Sequence, residues 1–330
     1  MTLMTPMTPM PPRPGRVRPR ARQRGAALLT AMIIVTLVVT LAASMVWQQW
    51  RAVQVEAAER ARTQAAWILS GALDFARLIL KENTSDTRPT ALGDPWATPL
   101  AEARLSTFLA ADKSNADDGP EAFLSGSIMD MQARLNLTNL VVGGKVNEPQ
   151  RDALMRLCAA IGVDPGVAQV IANGLLAATY SSPGPPANPP LLPVTVDQLS
   201  WLGIDAATIK VLAPHVVLLP GPAATPVNVN TASREVLVAV VKGLDLATAE
   251  RLMQLRQRVP FRDLQKFAEQ VPTLTVPEGM VDVRSSFFEV RAQLRLADRV
   301  LVERSLVQRK ARQVEVLRRE RTARLDEAPP

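Results

Sequence analysis

The chain has 330 residues, 47% of them apolar and 21% charged, so it can bury a substantial core and is not a disordered segment. Aromatic residues make up only 4%, with a single tyrosine, which leaves little material for the stacking platforms of single-stranded nucleic-acid binders. The formal charge of +7 points toward polyanions, but six arginines (Arg13, Arg16, Arg18, Arg20, Arg22, Arg24) and no acid fall in residues 1–25; 7 − 6 leaves +1 for the rest, and attraction to phosphate loses its main support.

Within residues 1–25, Pro6, Pro9, Pro11, Pro12, Pro14 and Pro19 interrupt any helical pattern, leaving a basic, solvated leader. Ala26 to Val46 follows, 21 residues without a charge. At 1.5 Å per residue this run spans about 30 Å, the hydrocarbon thickness of a bilayer. The arginines before it, set against Arg51 and the acids from Glu56 onward, place the N-terminus in the cytoplasm and the body outside. A secretory signal would carry a shorter apolar core with its cleavage site after it. Here Arg24-Gly25 stands before the apolar run.

The stretch QRGAALLTAMIIVTLVVT resembles the prepilin-peptidase site of type IV pilins and type II secretion pseudopilins. The resemblance implies cleavage after Gly25, with Arg24 before it, and methylation of the new amine on Ala26. Glycine suits such a site because a bare backbone extends easily into a protease. A signal anchor retained uncut is the alternative. Most members carry Glu at the fifth position of the mature chain, where this sequence has Thr30. In the family that carboxylate is thought to neutralise the terminal amine of the subunit already in the filament. Its loss resembles the K-type pseudopilin, which sits at the filament tip and has no subunit ahead of it.

Beyond the span, Trp47, Trp50, Ala57, Ala61, Ala65, Ile68, Ala72, Ala76 and Ile79 recur mostly three or four residues apart, one face of an amphipathic helix over 47–82. Joined to the span this predicts about 55 residues and roughly 80 Å of helix, ended by NTSDTRP near Asn83. Two separate helices are the alternative. Residues 123–140 read as short strands with a turn at Gly126 and an Asn-rich loop. K-type pseudopilins have a G-x-I-x-D segment and then N-L-x-N-L at this place; Gly126, Ile128, Asp130, Asn136, Leu137, Asn139 and Leu140 match it. Asn and Asp so spaced bond the backbone of turns, so their reading is structural.

A helical insert is expected over 147–274. Asn147 stands at an N-cap with Pro149 in the first turn of a helix carrying Leu154, Leu157, Cys158 and Ile161; further helices are expected at 166–179, 196–202 and 206–212, around the Pro-rich loop 181–193. In 226–267, Asn228, Asn230 and Thr231 are expected in a turn, Ser233 as the cap of a helix through Val241, and a second helix over about 247–258. The segment matches the NxNTA signature of K-type pseudopilins and also resembles the helix-hairpin-helix of membrane-anchored competence DNA receptors. DNA-binding hairpins have a Gly-apolar-Gly tip that admits a phosphate to backbone amides. Here the tip is Gly243-Leu244-Asp245, and the carboxylate of Asp245 repels phosphate.

From Val281 the pattern alternates, with breaks at 297–299 and 309–310, and reads as a three-stranded antiparallel sheet that rejoins the strands near 123–135. Arg318, Arg319, Arg321 and Arg324 read as a solvated edge strand and tail. The fold class is α+β: a pilin-like head, made of a long N-terminal transmembrane spine helix and an antiparallel sheet from 83–146 and 275–325, carrying a large all-helical inserted domain.

One cysteine and one histidine, Cys158 and His215, permit neither an intramolecular disulfide nor a zinc site, and no catalytic motif is present, so a non-enzymatic role is expected with no cofactor. K-type pseudopilins can hold calcium in an acid-rich stretch of the insert. The corresponding residues 171–190 have no carboxylate, and Asp112, Asp117, Asp118 and Glu121 are the remaining calcium candidates. The resemblance implies a structural tip subunit in protein secretion, partnered by I- and J-type minor pseudopilins, the major pseudopilin, the inner-membrane assembly platform, prepilin peptidase and membrane lipid, with no nucleic acid. It also implies a single-pass inner-membrane protein with its body in the periplasm.

Overall fold

Helix α1 runs without a break from Arg24 to Glu82 in the computed structural model, which describes residues 24–82, 88–105, 122–179, 189–221, 223–296, 299–311 and 313–325. The chain divides into two compact units, residues 1–63 and 64–330.

In the first unit, the apolar run supplies one helix long and apolar enough to cross a membrane, with every side chain exposed from Ala26 to Val46. Its few polar side chains need no outside partner. Thr30 Oγ1 donates to the carbonyl of Ala26 (2.8 Å), Thr40 Oγ1 to Leu37 (2.9 Å) and Ser44 Oγ to Leu41 (2.7 Å). A hydroxyl bonded within its own helix removes most of the cost of placing it in hydrocarbon. Beyond the run, Glu56 pairs with Arg60 and Glu59 with Arg62 one turn apart, an arrangement suited to water.

In the second unit, α1 buries Ala65, Leu69, Leu73, Ala76 and Leu80. This stripe shares Ala65 and Ala76 with the expected one but is otherwise shifted: Trp47, Trp50 and Ala57 are exposed, and Ile68, Ala72 and Ile79 lie half-buried on its flank. Burial starts only where the sheet provides a surface. After α1 come β1 (Leu100–Arg104), β2 (Ala122–Asp130), β3 (Leu135–Asn136), β4 (Val141–Val142), β5 (Lys145–Val146), α2 (Glu148–Ala160), α3 (Gly166–Thr179), α4 (Ala206–Leu212), β6 (Val216–Val217), β7 (Val227–Asn228), α5 (Arg234–Val240), α6 (Leu246–Arg258), α7 (Leu264–Ala268), β8 (Val281–Asp282), β9 (Phe287–Leu296), β10 (Arg299–Lys310) and β11 (Gln313–Leu325), with 3-10 turns between some of them.

The head is an antiparallel sheet in the order β1-β2-β9-β10-β11. Its alternating apolar face meets α1: Leu73, Ala76 and Leu80 pack with Trp96, Phe288, Val290, Val307 and Val314, and Ala65 and Leu69 with Ala122, Ala292 and Leu294. Each buried leucine in such a layer contributes roughly 1.5–3 kcal/mol. Gly126 makes no turn. It lies inside β2, opposite Ala292 on β9 and Leu100 on β1, and a Cβ there would stand 3.1 Å from the carbonyl oxygen of Arg291. The glycine is needed for close approach of strands.

Val281 and Asp282 do not join this sheet either. They pair in parallel with Val227 and Asn228, and Leu135 and Asn136 pair in parallel with Val216 and Val217. The insert therefore contains two two-residue strands among its helices, each stitched to a segment of the head. On the edge strand β11, Arg319 and Arg321 are not merely solvated: both pair with Glu303, whose side chain is 2% exposed. A buried carboxylate requires such counter-charge.

The insert repeats one turn three times. Gly162-Val163-Asp164, Gly203-Ile204-Asp205 and Gly243-Leu244-Asp245 each join two helical segments, with the glycine at φ +76°, +87° and +88°. The apolar residue faces the insert core each time. Each aspartate accepts a backbone N–H of the next helix: Gly166 N (2.9 Å), Thr208 N (2.9 Å) and Thr248 N (2.8 Å). Four residues on, Ala168, Ile209 and Ala249 are buried. An αL glycine, an apolar plug and an N-cap thus make a helix-hairpin-helix unit that packs about the core of Leu154, Leu157, Ile171, Leu237, Leu252 and Phe267. At the cap preceding α2, Asn147 makes no side-chain hydrogen bond, and Pro149 lies in the first turn.

Candidate functional site

Head and insert are joined by a buried polar seam built from the Asn and Asp residues of the two sequence motifs. At its centre Asp130 ends β2. Its Oδ1 accepts the backbone N–H of Gln132 (2.8 Å), and its Oδ2 accepts Asn228 Nδ2 (3.0 Å), Thr231 Oγ1 (2.6 Å) and Ser285 Oγ (2.6 Å). Four donors use the acceptor capacity of one carboxylate. Burial raises the Asp130 carboxyl above its ordinary value, against the lowering effect of these four bonds.

Asn228 carries the seam further. Its amide also donates to the carbonyl of Thr90 (3.0 Å) and to Ser285 Oγ (2.8 Å), while its Oδ1 accepts the N–H of Asn230 (2.9 Å). Asn230 in turn grips the backbone of Phe261 from both sides, Nδ2 to its carbonyl and Oδ1 to its N–H, each at 2.9 Å. Asn139 does the same to Thr225, at 2.8 and 3.0 Å. Asn136 Oδ1 accepts the N–H of Leu219 (3.0 Å) and of Thr138 (3.2 Å), and Asn136 Nδ2 donates to Asn139 Oδ1 (3.3 Å). A side-chain amide that pairs with a buried peptide unit replaces a missing strand partner, which is why Asn recurs where loops cross the core.

Asp130, Asn228 and Thr231 thus meet in one cluster, Asn136 and Asn139 in a second, and Asn230 anchors α5 and α6 through Phe261. Sequence reasoning missed Thr90, Gln132, Ser285 and Arg309. Gln132 bridges Pro226 O (2.9 Å) and Ser286 N (2.6 Å), and Arg309 Nη2 donates to Thr90 Oγ1 (2.9 Å) and Ser285 O (2.8 Å) with its guanidinium over Phe288. Burial lowers the Arg309 guanidinium, partly offset by Asp130 and Asp94. No local pattern marks these residues, because the partners of their side chains are distant in sequence.

Above the seam lies an open polar cleft of about 390 Å³, lined by Arg88, Arg284, Gln308, Arg309 and the chain from Pro220 to Pro226. An apolar groove of about 590 Å³ follows α1 along Trp67, Gly71, Phe75 and Ile79 and reaches Leu100, Gly126 and Ile128. Along α1, Trp67, Phe75 and Leu78 are exposed.

Among the described residues no three His, Cys, Asp or Glu side chains are placed to hold a metal ion. The calcium candidates Asp112, Asp117, Asp118 and Glu121 lie outside the described residues. Cys158 is buried, and burial pushes its thiol up to about 11, which makes it an inert core residue. His215 is half-buried with Nδ1 3.4 Å from Ser233 Oγ, and burial lowers its pKa. Asp245 caps α6, so the hairpin tip holds its own carboxylate where an anion would sit. Arg24, Gly25 and Ala26 form the start of α1.

A family model described as type II secretion system protein K matches residues 227–287, and a second of the same description matches 133–221. Among similar proteins, the type II secretion system protein K of Pseudomonas aeruginosa is 29% identical over 316 residues, covering 88% of this chain and 90% of the relative. Those of Dickeya chrysanthemi and Klebsiella pneumoniae are 26% and 28% identical, covering 91% and 90% of this chain and 97% and 96% of theirs. A solved chain from the crystal structure of the GspK-GspI-GspJ complex of the enterotoxigenic Escherichia coli type 2 secretion system has the same fold, with a TM-score of 0.59 and 20% identity over 80% of this chain and 98% of that one. Each matched segment carries the seam: 133–221 holds Asn136, Asn139 and Leu219, and 227–287 holds Asn228, Asn230, Thr231 and Ser285. Over most of its length this chain is similar to the protein K family of the type II secretion system, whose members act in protein secretion, and its N-terminal helix α1 is long and apolar enough to cross a membrane.

Proposed function

We propose that this protein is the terminal subunit of the pseudopilus, with no catalytic activity of its own. The observation that carries the reading is the hydroxyl of Thr30, which donates to the carbonyl of Ala26 in the first turns of α1. A shaft subunit needs a carboxylate at this position for the amine of the subunit ahead; a terminal subunit meets none, and a side chain satisfied by its own helix suffices. The insert supports the same assignment, because the buried seam holds roughly 130 residues firmly on the head, where further subunits would otherwise add.

In this reading prepilin peptidase cuts after Gly25 and the amine of Ala26 is methylated. The chain waits in the inner membrane with its N-terminus cytoplasmic and its body periplasmic. The solved relative was crystallised as a GspK-GspI-GspJ complex, which supports I- and J-type minor pseudopilins as neighbours here, with the major pseudopilin and the assembly platform following. The exposed stripe of Trp67, Phe75 and Leu78 on α1 offers them an apolar face. The test is immunogold labelling of sheared filaments with an antibody to this chain. Label at one end is expected; label spread along the shaft overturns the reading.

A further inference from the structure

Directly after the uncharged run, Trp47 and Trp50 stand one turn apart on α1 with ring centroids 5.7 Å apart. Both are well exposed, at 63% and 57%. Counted from Ala26 at 1.5 Å per residue, they lie about 32 and 36 Å along the axis. A bilayer has about 30 Å of hydrocarbon and about 40–45 Å including headgroups, so both rings fall in the headgroup layer. The neighbouring chemistry changes at the same point. The hydroxyls of Thr30, Thr40 and Ser44 before the pair are closed onto their own helix; Gln48, Gln49 and Arg51 around and after it are polar and exposed, and the ion pairs of Glu56 and Glu59 follow. Indole combines an apolar body with one N–H donor, and this suits it to a layer that is apolar on one side and wet on the other.

We infer that Trp47 and Trp50 form an interfacial anchor seated among the lipid headgroups of the outer face of the membrane, fixing the depth of α1 before assembly. The inference rests on the membrane-anchored reading of α1 and adds a site to it. With the pair in place, the helix cannot slide outward without drawing two indoles from the headgroups into water. It cannot slide inward without burying Arg51, which is the costlier direction. The occupant is lipid headgroup, and the match between ring position, run length and the onset of charge is what favours it over a protein partner.

The test uses the full chain in vesicles of phosphatidylethanolamine and phosphatidylglycerol at high lipid-to-protein ratio. The signal of the pair is the difference in tryptophan emission between wild type and the Trp47→Phe/Trp50→Phe variant, which leaves the buried Trp96 untouched. Expected are blue-shifted emission, strong quenching by lipid brominated near the headgroup, weaker quenching by lipid brominated deep in the chain, and weak quenching by aqueous iodide. Emission like that of free tryptophan with full iodide quenching overturns the inference, as does strongest quenching by the deep bromine. If a second copy of this chain covers the rings instead, brominated lipid quenches little and the emission moves on dilution with lipid, which also overturns it. Alkaline carbonate extraction of the same vesicles separates the two layers of the argument. Release into the supernatant fails the membrane anchor altogether; retention with aqueous indoles fails this inference alone.

Discussion

Asp130 and Asn228, 98 residues apart in the chain, meet at 3.0 Å in a buried site where one closes strand β2 of the head and the other opens the NxNTA turn of the insert. Each is the other's partner because neither has water to turn to, and an unmet polar group at such depth costs about 1–3 kcal/mol.

Replacing Asp130 by Ala leaves Gln132 N–H, Thr231 Oγ1 and Ser285 Oγ without their acceptor. The expected loss is about 3 kcal/mol, or roughly 9 °C in the melting temperature for a body of this size. Asp130→Asn keeps an acceptor at one oxygen only and should lose about half as much. Thermal unfolding of the detergent-solubilised protein measures both; an unchanged midpoint in the Ala variant would show that the seam carries no stability.

Burial lowers the pKa of His215 below its ordinary 6.5. The unfolded chain therefore takes up a proton near 6.5, while the folded chain does so only at lower pH. Between the two values the unfolded state holds more protons, so stability rises with pH across this window and is lost as pH falls through it. The melting temperature should drop on going from about pH 7.5 to about pH 5.5, and His215→Gln should flatten that drop. The raised carboxyl of Asp130 acts with the opposite sign at its own pKa, and is common to both proteins, so the difference between them isolates the imidazole. Parallel curves for the two proteins would remove His215 from the account.

Gly126→Ala places a methyl group 3.1 Å from the Arg291 carbonyl oxygen, between strands paired on both sides. Backbone on the neighbouring strand cannot swing away as a side chain could. A destabilisation of about 1–3 kcal/mol is expected. Gly71→Ala, on an open stretch of α1 with nothing within 4 Å, is the control and should be neutral or mildly stabilising.

For leader processing, Gly25→Trp should leave a full-length chain in the membrane, whereas wild-type protein sequenced from its N-terminus should begin at Ala26. Any other first residue contradicts the assignment.

Thr30→Ala removes one hydroxyl that bonds only its own helix. Secretion by cells carrying this variant should stay close to wild type. A collapse of secretion would mean that Thr30 meets a partner in the assembly, and the terminal position would then lose its chief support.

The spine helix was legible because an uncharged run followed by apolar residues at helical spacing admits few other structures, and the strands of β9, β10 and β11 were legible by their alternation. What failed did so for a shared reason. Gly126 carries the local signal of a turn, yet its need for a bare Cα is set by Arg291, 165 residues on, which no local window contains. Val281-Asp282-Val283 alternates like the sheet strands, yet Val281 and Asp282 pair with Val227 and Asn228. Thr90, Ser285 and Arg309 have no motif, since their partners are fixed only once the chain has closed on itself. The Gly-apolar-Asp turn was written out three times in plain view, and only the copy at Gly243 was singled out.

The seam has a temporal side. Ser285 reaches Asp130 from 155 residues downstream, and β2 gains β9 as its neighbour only after the whole insert has been made. A chain made in the order of its sequence therefore exposes β2 with one long edge bare while the insert, whose helical turns close over short distances, condenses ahead of it. The carboxylate of Asp130 is the point where the late-arriving strand is received, so the head matures last. A nascent chain stalled before Ser285 would hold a folded insert on an unfinished, aggregation-prone sheet.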